Sequence, residues 1–410
     1  PGRLVASAKS WLCHTGVDRT AELLPWHGAL DAERYSPIDI SSCYLTHIRR
    51  AWDHAHPEHP LQEQDVVLTL PASFDEIARE LTIEAAARAG LSRVVLIEEP
   101  QEAFYAWVYL HANDWEQHVA PGQRILVCDI GGGTSDFTLI RVRSEEGKLH
   151  FHRVAVGDHL ILGGDNLDLA LAHHLENQLA GDGKKLAPKQ FDVLVRRCQF
   201  VKEQVLGDSP PEKIPVSLPG GGSKLIGGSV KTELKSDEAR ELLLAGFFPQ
   251  TSLEEKPAAR ASGFQEFGLP YAHDAAITRH LAAFLSAHKD GDVAGAGSRS
   301  HEEAAARPDL VLFNGGLFES QQIRGRLVDA ITHWFSDGTE WAPQVLRNDR
   351  LSLAVARGAA YFGMVRRGEG VAISAKLART YYVGMEGDPP QAICLVPARA
   401  AAGEDIAQTG

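Results

Sequence analysis

Apolar and polar positions along the chain switch between helical and strand-like periods. Between 37 and 56, Ile40, Tyr44, Leu45, Ile48 and Trp52 share one side of a helix. Asp65-Val-Val-Leu-Thr-Leu70 reads as a short buried strand that Pro71 ends. Ser73 and Glu76 have the spacing of a capping box, which predicts a helix running to about Gly90, a residue suited to the left-handed position after a helix end. Val94 to Ile97 is a second strand, stopped by Glu98-Glu99-Pro100, and an aromatic-rich helix follows from Gln101. This strand–helix–strand–helix order implies an α/β layer.

A cluster of strands comes next. Arg124 to Ile130 is apolar and β-rich, Gly131-Gly132-Gly133-Thr134 turns the chain, Ser135 to Val142 returns it, and His150 to Val156 makes a third strand. Gly163-Gly164-Asp165 opens a helix in which Leu167, Leu171, Leu175 and Leu179 recur on a buried face. A helix spans about 191–206, short strands with turns fill 207–230, and 232–248 is helical again. Residues 251–263 and 289–308 read as loop insertions. Leu310 to Phe313 is a strand, Asn314-Gly315-Gly316 a tight turn, and helices follow from near Ser320 and from Ser352 to Gly363. Residues 380–397 return to strand-like patterning.

Composition narrows the class. Of 410 residues, 44% are hydrophobic and 23% charged, an ordinary globular balance with apolar mass for two or three core units. The net charge of −13 disfavours nucleic acid and anionic membrane as partners. Cys13, Cys43, Cys128, Cys198 and Cys394 are scattered, without CxxC spacing, which argues against zinc ribbons and a disulfide framework and for a reducing cytosol. No apolar run reaches membrane-spanning length, and no signal peptide opens the chain, although Pro1 stands where an initiator Met is expected.

The segment Asp129-Ile-Gly-Gly-Gly-Thr-Ser-Asp136 carries the most chemistry. Gly131, Gly132 and Gly133 lack Cβ atoms, so backbone N–H groups can converge on an anion, and Thr134 adds a hydroxyl. Asp129 and Asp136 flank the turn and are able to hold water around a divalent metal. The plain alternative is a glycine-rich β-hairpin with polar flanks. No Gly-Lys-Ser/Thr follows, so this is not a Walker loop.

The text Leu126-Val-Cys-Asp-Ile-Gly-Gly-Gly-Thr-Ser-Asp-Phe137 resembles the second phosphate motif of the actin-like ATPases, most closely that of DnaK-type chaperones of the 70-kilodalton heat-shock family. Leu70-Pro-Ala-Ser-Phe74, Ala89-Gly-Leu91 through Glu99-Pro100, Gly157-Asp158 with Gly163-Gly164-Asp165, Phe313-Asn-Gly-Gly316 and Ala354-Val-Ala with Gly358-Ala-Ala360 are similar to further family motifs in family order. The resemblance covers about residues 1–368. It implies an α/β fold of two lobes around a nucleotide cleft, with the Asp129–Asp136 and Phe313–Gly316 turns facing that cleft. It implies ATP or ADP as ligand, with Mg2+ near Asp129 and Asp136 through water. By the same resemblance Lys9 approaches the γ-phosphate, Glu99 lies near the metal and the attacking water, and Asp129, Thr134 and Asp136 surround them. Gly131, Gly132, Gly133, Gly163 and Gly164 touch phosphates, while Lys202, Gly315 and Gly316 reach the nucleoside. Standing alone, Lys9 and Lys202 would be surface lysines, Glu99 a helix-start acid, and the Gly163–Gly164 pair ordinary helix-start geometry.

The resemblance also implies partners: client polypeptides, a J-domain co-chaperone and a nucleotide exchange factor, in a cytoplasmic stress-response protein that binds neither nucleic acid nor membrane. The pattern departs in places. Gln199 and Glu319 stand where the family has a glutamate and an adenine-packing arginine, and an acid cannot supply that cation–π stack. No Asp-Leu-Gly-Thr-Thr-type first phosphate hairpin precedes Lys9, so the expectation is an N-terminally truncated ATPase domain with impaired turnover. The expected organisation is an actin-like nucleotide-binding domain over 1–368, a linker over 369–379 and the start of a peptide-binding β-domain over 380–410. Two alternatives stay open: a nucleotide-binding scaffold or sensor with a decayed ATPase site, and a small-molecule kinase of the actin-like superfamily, for which no acceptor-base motif is found.

Overall fold

A computed structural model describes residues 3–375 apart from 27, 30, 72–73, 146, 159, 181–184, 219–229, 259–270, 289–305, 337 and 339, together with 381–385 and 391–396. The first elements are α1 (Ala8–Leu12), α2 (Pro37–Ala55), β1 (Val66–Leu70), α3 (Glu76–Arg88), β2 (Val94–Glu98) and α4 (Glu99–Leu110). Helix α2 starts on a capping box: Ser36 Oγ accepts the Asp39 N–H, the Asp39 carboxylate accepts the Ser36 N–H, and Pro37 supplies a preset φ at the first turn. Strands β1 and β2 pair in parallel from Val66↔Val94 to Leu70↔Glu98, the crossover being α3. Leu12, Ile38, Leu70, Phe74, Ala78 and Leu81 pack as a core between this pair and the helices.

Next come β3 (Arg124–Ile130), β4 (Ser135–Glu145), β5 (Lys148–Val156), α5 (Gly164–Ala180), α6 (Pro188–Val205), β6 (Lys213–Leu218), β7 (Val230–Lys235), α7 (Ser236–Phe247) and α8 (Ile277–Ala287). Then follow β8 (Leu310–Asn314), α9 (Gln321–Phe335), β9 (Gln344–Leu346), α10 (Leu351–Val365), β10 (Ile373–Ala375), β11 (Tyr381–Met385) and β12 (Gln391–Val396). A mixed six-stranded sheet has the order β10-β5-β4-β3-β8-β9. Successive residues of β3 serve opposite faces. Leu126, Cys128 and Ile130 join a core with α5, α6, α8 and α9, whereas Ile125 and Val127 join another with α4 and α10. A strand buried on both faces reads as an unbroken apolar run, which is why β3 has the bounds its sequence suggests. Phe104, Tyr105 and Trp107 of α4 are at most 1% exposed, and each such side chain contributes about 1.5–3 kcal/mol by leaving water.

Several expectations are corrected. The N-cap of α3 is Asp75, whose carboxylate accepts the Ala78 N–H at 2.7 Å, with Glu76 already helical; Ser73 lies outside the described residues. Glu99-Pro100 does not merely stop β2 but forms the first turn of α4. The helix expected over 232–248 begins only at Ser236. Before it, Val230–Lys235 pairs antiparallel with β6, with Leu234 opposite Ile214 in a buried hairpin. On α2, Tyr44, Ile48 and Trp52 face solvent, and the buried contacts come from Pro37, Ile38 and Ile40. Of the expected insertions, 259–263 and 289–305 lie outside the described residues. Within the segment expected as linker, Ile373–Ala375 adds a parallel strand to the edge of the main sheet beside β5. The Ile373 N–H donates to Tyr105 Oη at 3.1 Å, and the Val371 N–H to Tyr361 Oη at 2.9 Å. Strands β11 and β12 form a separate antiparallel pair.

Candidate functional site

Three segments meet at one end of the main sheet. Antiparallel pairing sets Asp129 opposite Asp136 across the glycine turn, and parallel pairing of β3 with β8 sets Asp129 beside Asn314. The two turns therefore abut. Gly315 has φ +93°, and a Cβ there would lie 2.2 Å from the Ile130 carbonyl oxygen, so only glycine allows the approach. The end of β2 brings in Glu98 and Glu99. Arg79 and Arg153 hold Glu98, with Arg79 Nη2 at 3.0 Å, which leaves Glu99 to turn toward α1 and pair with Lys9. Lys9, Glu99, Asp129 and Asp136 thus occupy one neighbourhood.

Charge is crowded here. Burial, then the charges of Glu99 and Asp136, push the Asp129 carboxyl up to about 7, although Asn314 Nδ2 donates to it at 3.1 Å. Loss of hydration alone would lower the Lys9 ammonium, but Glu99 raises it, with Asp136 and Asp129 adding to the effect. Asp136 is 2% exposed and Thr134 7%. One helical turn beyond Glu99 lies Glu102, fully buried, with neither carboxyl oxygen hydrogen-bonded. Burial, then Glu99 and Asp129, push it up to about 10, so it is a neutral acid at pH 7. The donors around Asp129 and Asp136 are carboxylate oxygens. Such a set suits a hard divalent cation such as Mg2+, whose charge would relieve the crowding.

The glycine turn also meets the start of α5. The Gly164 N–H donates to the Gly131 carbonyl at 3.0 Å and the Asp165 N–H to that of Gly132 at 2.7 Å. A Cβ on Gly163 would lie 2.6 Å from the Gly132 oxygen, so the two turns fit only with glycine there. Gly163 and Gly164 thus spend their N–H groups inside the protein, Gly163 on Asn166 Oδ1 at 2.9 Å. Lys202 is buried and also engaged: its Nζ donates to the Gly164 carbonyl at 2.9 Å and pairs with Asp168 Oδ1 at 2.9 Å. Burial pushes the Asp168 carboxyl up to about 6, against the lowering effect of Lys202. Beyond the Gly315–Gly316 turn Glu319 is exposed.

Between the N-terminal segment and α5–α6 lies a cavity of about 340 Å3. Trp11, Trp26 and Tyr271 give it aromatic walls, and Asp165, Arg196 and Gln199 give it polar ones. The Asp165 carboxylate also approaches Gly132, and Ser10 Oγ approaches Gly133, so the glycine turn borders both α5 and α1. Sequence reasoning passed over Glu102, Asn314, Ser10 and Asp165. Asn314 and Asp165 stood inside quoted motifs without a role, and Glu102 left a signal as a second acid three residues after Glu99 on a helix.

Residues 17–212 match the family model described as Hsp70 protein. Among curated proteins, a chaperone protein HscA homolog of Burkholderia lata is 35% identical over 187 residues, 45% of this chain and 27% of its own length. The homolog of Burkholderia multivorans is 34% identical over 188 residues, and one from Acinetobacter baumannii 33% over 176 residues. The matched part of the chain spans about a quarter of the length of these relatives. Among the described residues, no helix is long and apolar enough to cross a membrane.

Proposed function

We propose that the chain, whose residues 17–212 match the Hsp70 family model, is the ATP-binding and ATP-hydrolysing module of a cytoplasmic chaperone of that family. The observation that carries this reading is the meeting of Lys9, Glu99, Asp129 and Asp136 around one glycine turn. In this reading the Gly131–Gly133 turn borders the terminal phosphates of ATP or ADP and offers them the Gly132 and Gly133 N–H groups, the Gly131 N–H being held by the Thr134 carbonyl at 3.0 Å, while the Thr134 hydroxyl acts on the γ-phosphate and its water. Lys9 neutralises charge that builds on the transferred group. Glu99 accepts a hydrogen bond from the attacking water and orients it. Asp129 and Asp136 hold Mg2+ through water, and the cation, when bound, screens phosphate charge. Gly163 and Gly164 brace the turn, and Lys202, Gly315 and Gly316 border the nucleoside.

Helix α4 offers a route from this site to client binding. Its first residue is Glu99, and its Tyr105 holds the Ile373 N–H in β10, the strand that precedes the β11–β12 pair. A shift of α4 with nucleotide state would alter how that strand docks, and through it a peptide-binding domain. Client polypeptides, a J-domain co-chaperone and a nucleotide exchange factor are the partners this reading requires. A second reading, a nucleotide-binding scaffold or sensor without turnover, is favoured by the commitment of Lys202 to Asp168 and the exposure of Glu319. Calorimetric titration with ATP and ADP in the presence of Mg2+, paired with phosphate release, tests both. Binding with steady release supports the ATPase, binding without release the sensor, and no binding of either nucleotide contradicts both.

A further inference from the structure

We propose that His111, Asp114 and His118 form a binding site for a divalent transition-metal ion of the zinc class, at the far end of α4 from Glu99. The Asp114 carboxylate bridges the two imidazoles, with Oδ1 at 3.1 Å from His111 Nδ1 and Oδ2 at 3.2 Å from His118 Nε2. One ligand atom from each residue lies within 4.8 Å of the other two. The rings meet edge to face, with centroids 4.5 Å apart.

The backbone fixes this convergence. His111 caps α4, a 3-10 turn over Trp115–Gln117 follows, and His118 caps that turn. The N–H groups of Asp114 and Trp115 donate to the His111 carbonyl at 3.0 and 2.8 Å, and the His118 N–H donates to the Trp115 carbonyl at 3.1 Å. Trp107 closes one side, its ring 5.1 Å from that of His111 and 6.1 Å from that of His118.

Two imidazole nitrogens and one carboxylate oxygen are a donor set for zinc rather than for magnesium or calcium, which take oxygens. Tetrahedral bonds to zinc hold neighbouring donors about 3.4 Å apart, close to the nitrogen–oxygen separations seen here. The side chains are 21%, 47% and 35% exposed in chain order, which leaves a face for a water ligand and a path for the ion. Helix α4 separates this site from Glu99 by about 18 Å, so the ion takes no part in phosphate chemistry. It pins the end of α4 to the approach of β3, the strand that carries Asp129. Without an ion, the same trio would be an aspartate hydrogen-bonded to two histidines, and the experiment separates the two.

The full chain, stripped with a chelator, is titrated with Zn2+ by calorimetry and with Co2+ by visible absorption. Expected are one tight Zn2+ equivalent, a Co2+ d–d band of low-coordinate intensity, and a higher unfolding temperature with Zn2+. His118→Gln and, separately, Asp114→Asn should weaken Zn2+ binding by about 100-fold and remove the Co2+ band. A double variant of the exposed His54 and His56 should change neither. Absence of Zn2+ binding by the wild-type chain overturns the proposal. So does binding that survives both His118→Gln and Asp114→Asn, or that is lost only with His54 and His56.

Discussion

Asn314 donates its side-chain amide to Asp129 across the β3–β8 pair at 3.1 Å, inside the protein. This one bond ties the turn after β8 to the acid at the end of β3, and it favours the charged form of that acid. Asn314→Ala removes the donor. At pH 8.5, above the Asp129 pKa of about 7, the loss should cost about 1.5–3 kcal/mol of stability. At pH 5, where the carboxyl is protonated, the cost should shrink. Urea unfolding at both pH values checks this, and equal costs would show that the bond does not follow the charge of Asp129.

Glu102 gives a second pH signature. Its folded pKa is raised from the ordinary 4.5 to about 10, so between those limits the native state keeps a proton that the unfolded chain has released. Stability contributed by this group is therefore lost as pH rises, by at most about 1.4 kcal/mol per pH unit. Glu102→Gln keeps the shape and removes the titration. From pH 5 to pH 9 the variant should become progressively more stable than the wild type. Parallel stability profiles would show that Glu102 is ionised in the folded protein.

The sequence showed some of this and hid the rest for physical reasons. Strand β3 was legible because burial on both faces makes it an unbroken apolar run. Strand β7 was not, because its residues enter a sheet only through pairing with β6, a contact that local periodicity does not encode. The apolar stripe of Tyr44, Ile48 and Trp52 revealed a helix but not which side meets a neighbour. Glu99 was singled out through the family resemblance. Only the arginines on Glu98 explain why the second glutamate of the pair turns toward Lys9. Gly358 was a letter in a motif, and the structure supplies its reason: a Cβ there would lie 1.9 Å from the Glu102 carbonyl oxygen where α10 crosses α4.

The Tyr105–Ile373 hydrogen bond should set how firmly β10 docks. Tyr105→Phe leaves the buried Ile373 N–H without its acceptor, a cost of about 1–3 kcal/mol. Amide exchange at Ile373 should accelerate while ATP affinity stays within a few-fold of the wild type. Unchanged exchange at Ile373 would show that the strand is held by its pairing with β5 alone.

The central claim is that Glu99 and Thr134 act on the γ-phosphate and its water rather than on nucleotide binding. Single-turnover phosphate release from bound ATP, measured beside calorimetric ATP affinity for the wild type, Glu99→Gln and Thr134→Ala, tests it most directly. Both variants should bind ATP within a few-fold of the wild type and release phosphate about 100-fold or more slowly. Wild-type release rates in both variants, or lost ATP affinity with normal turnover of what binds, would contradict the account.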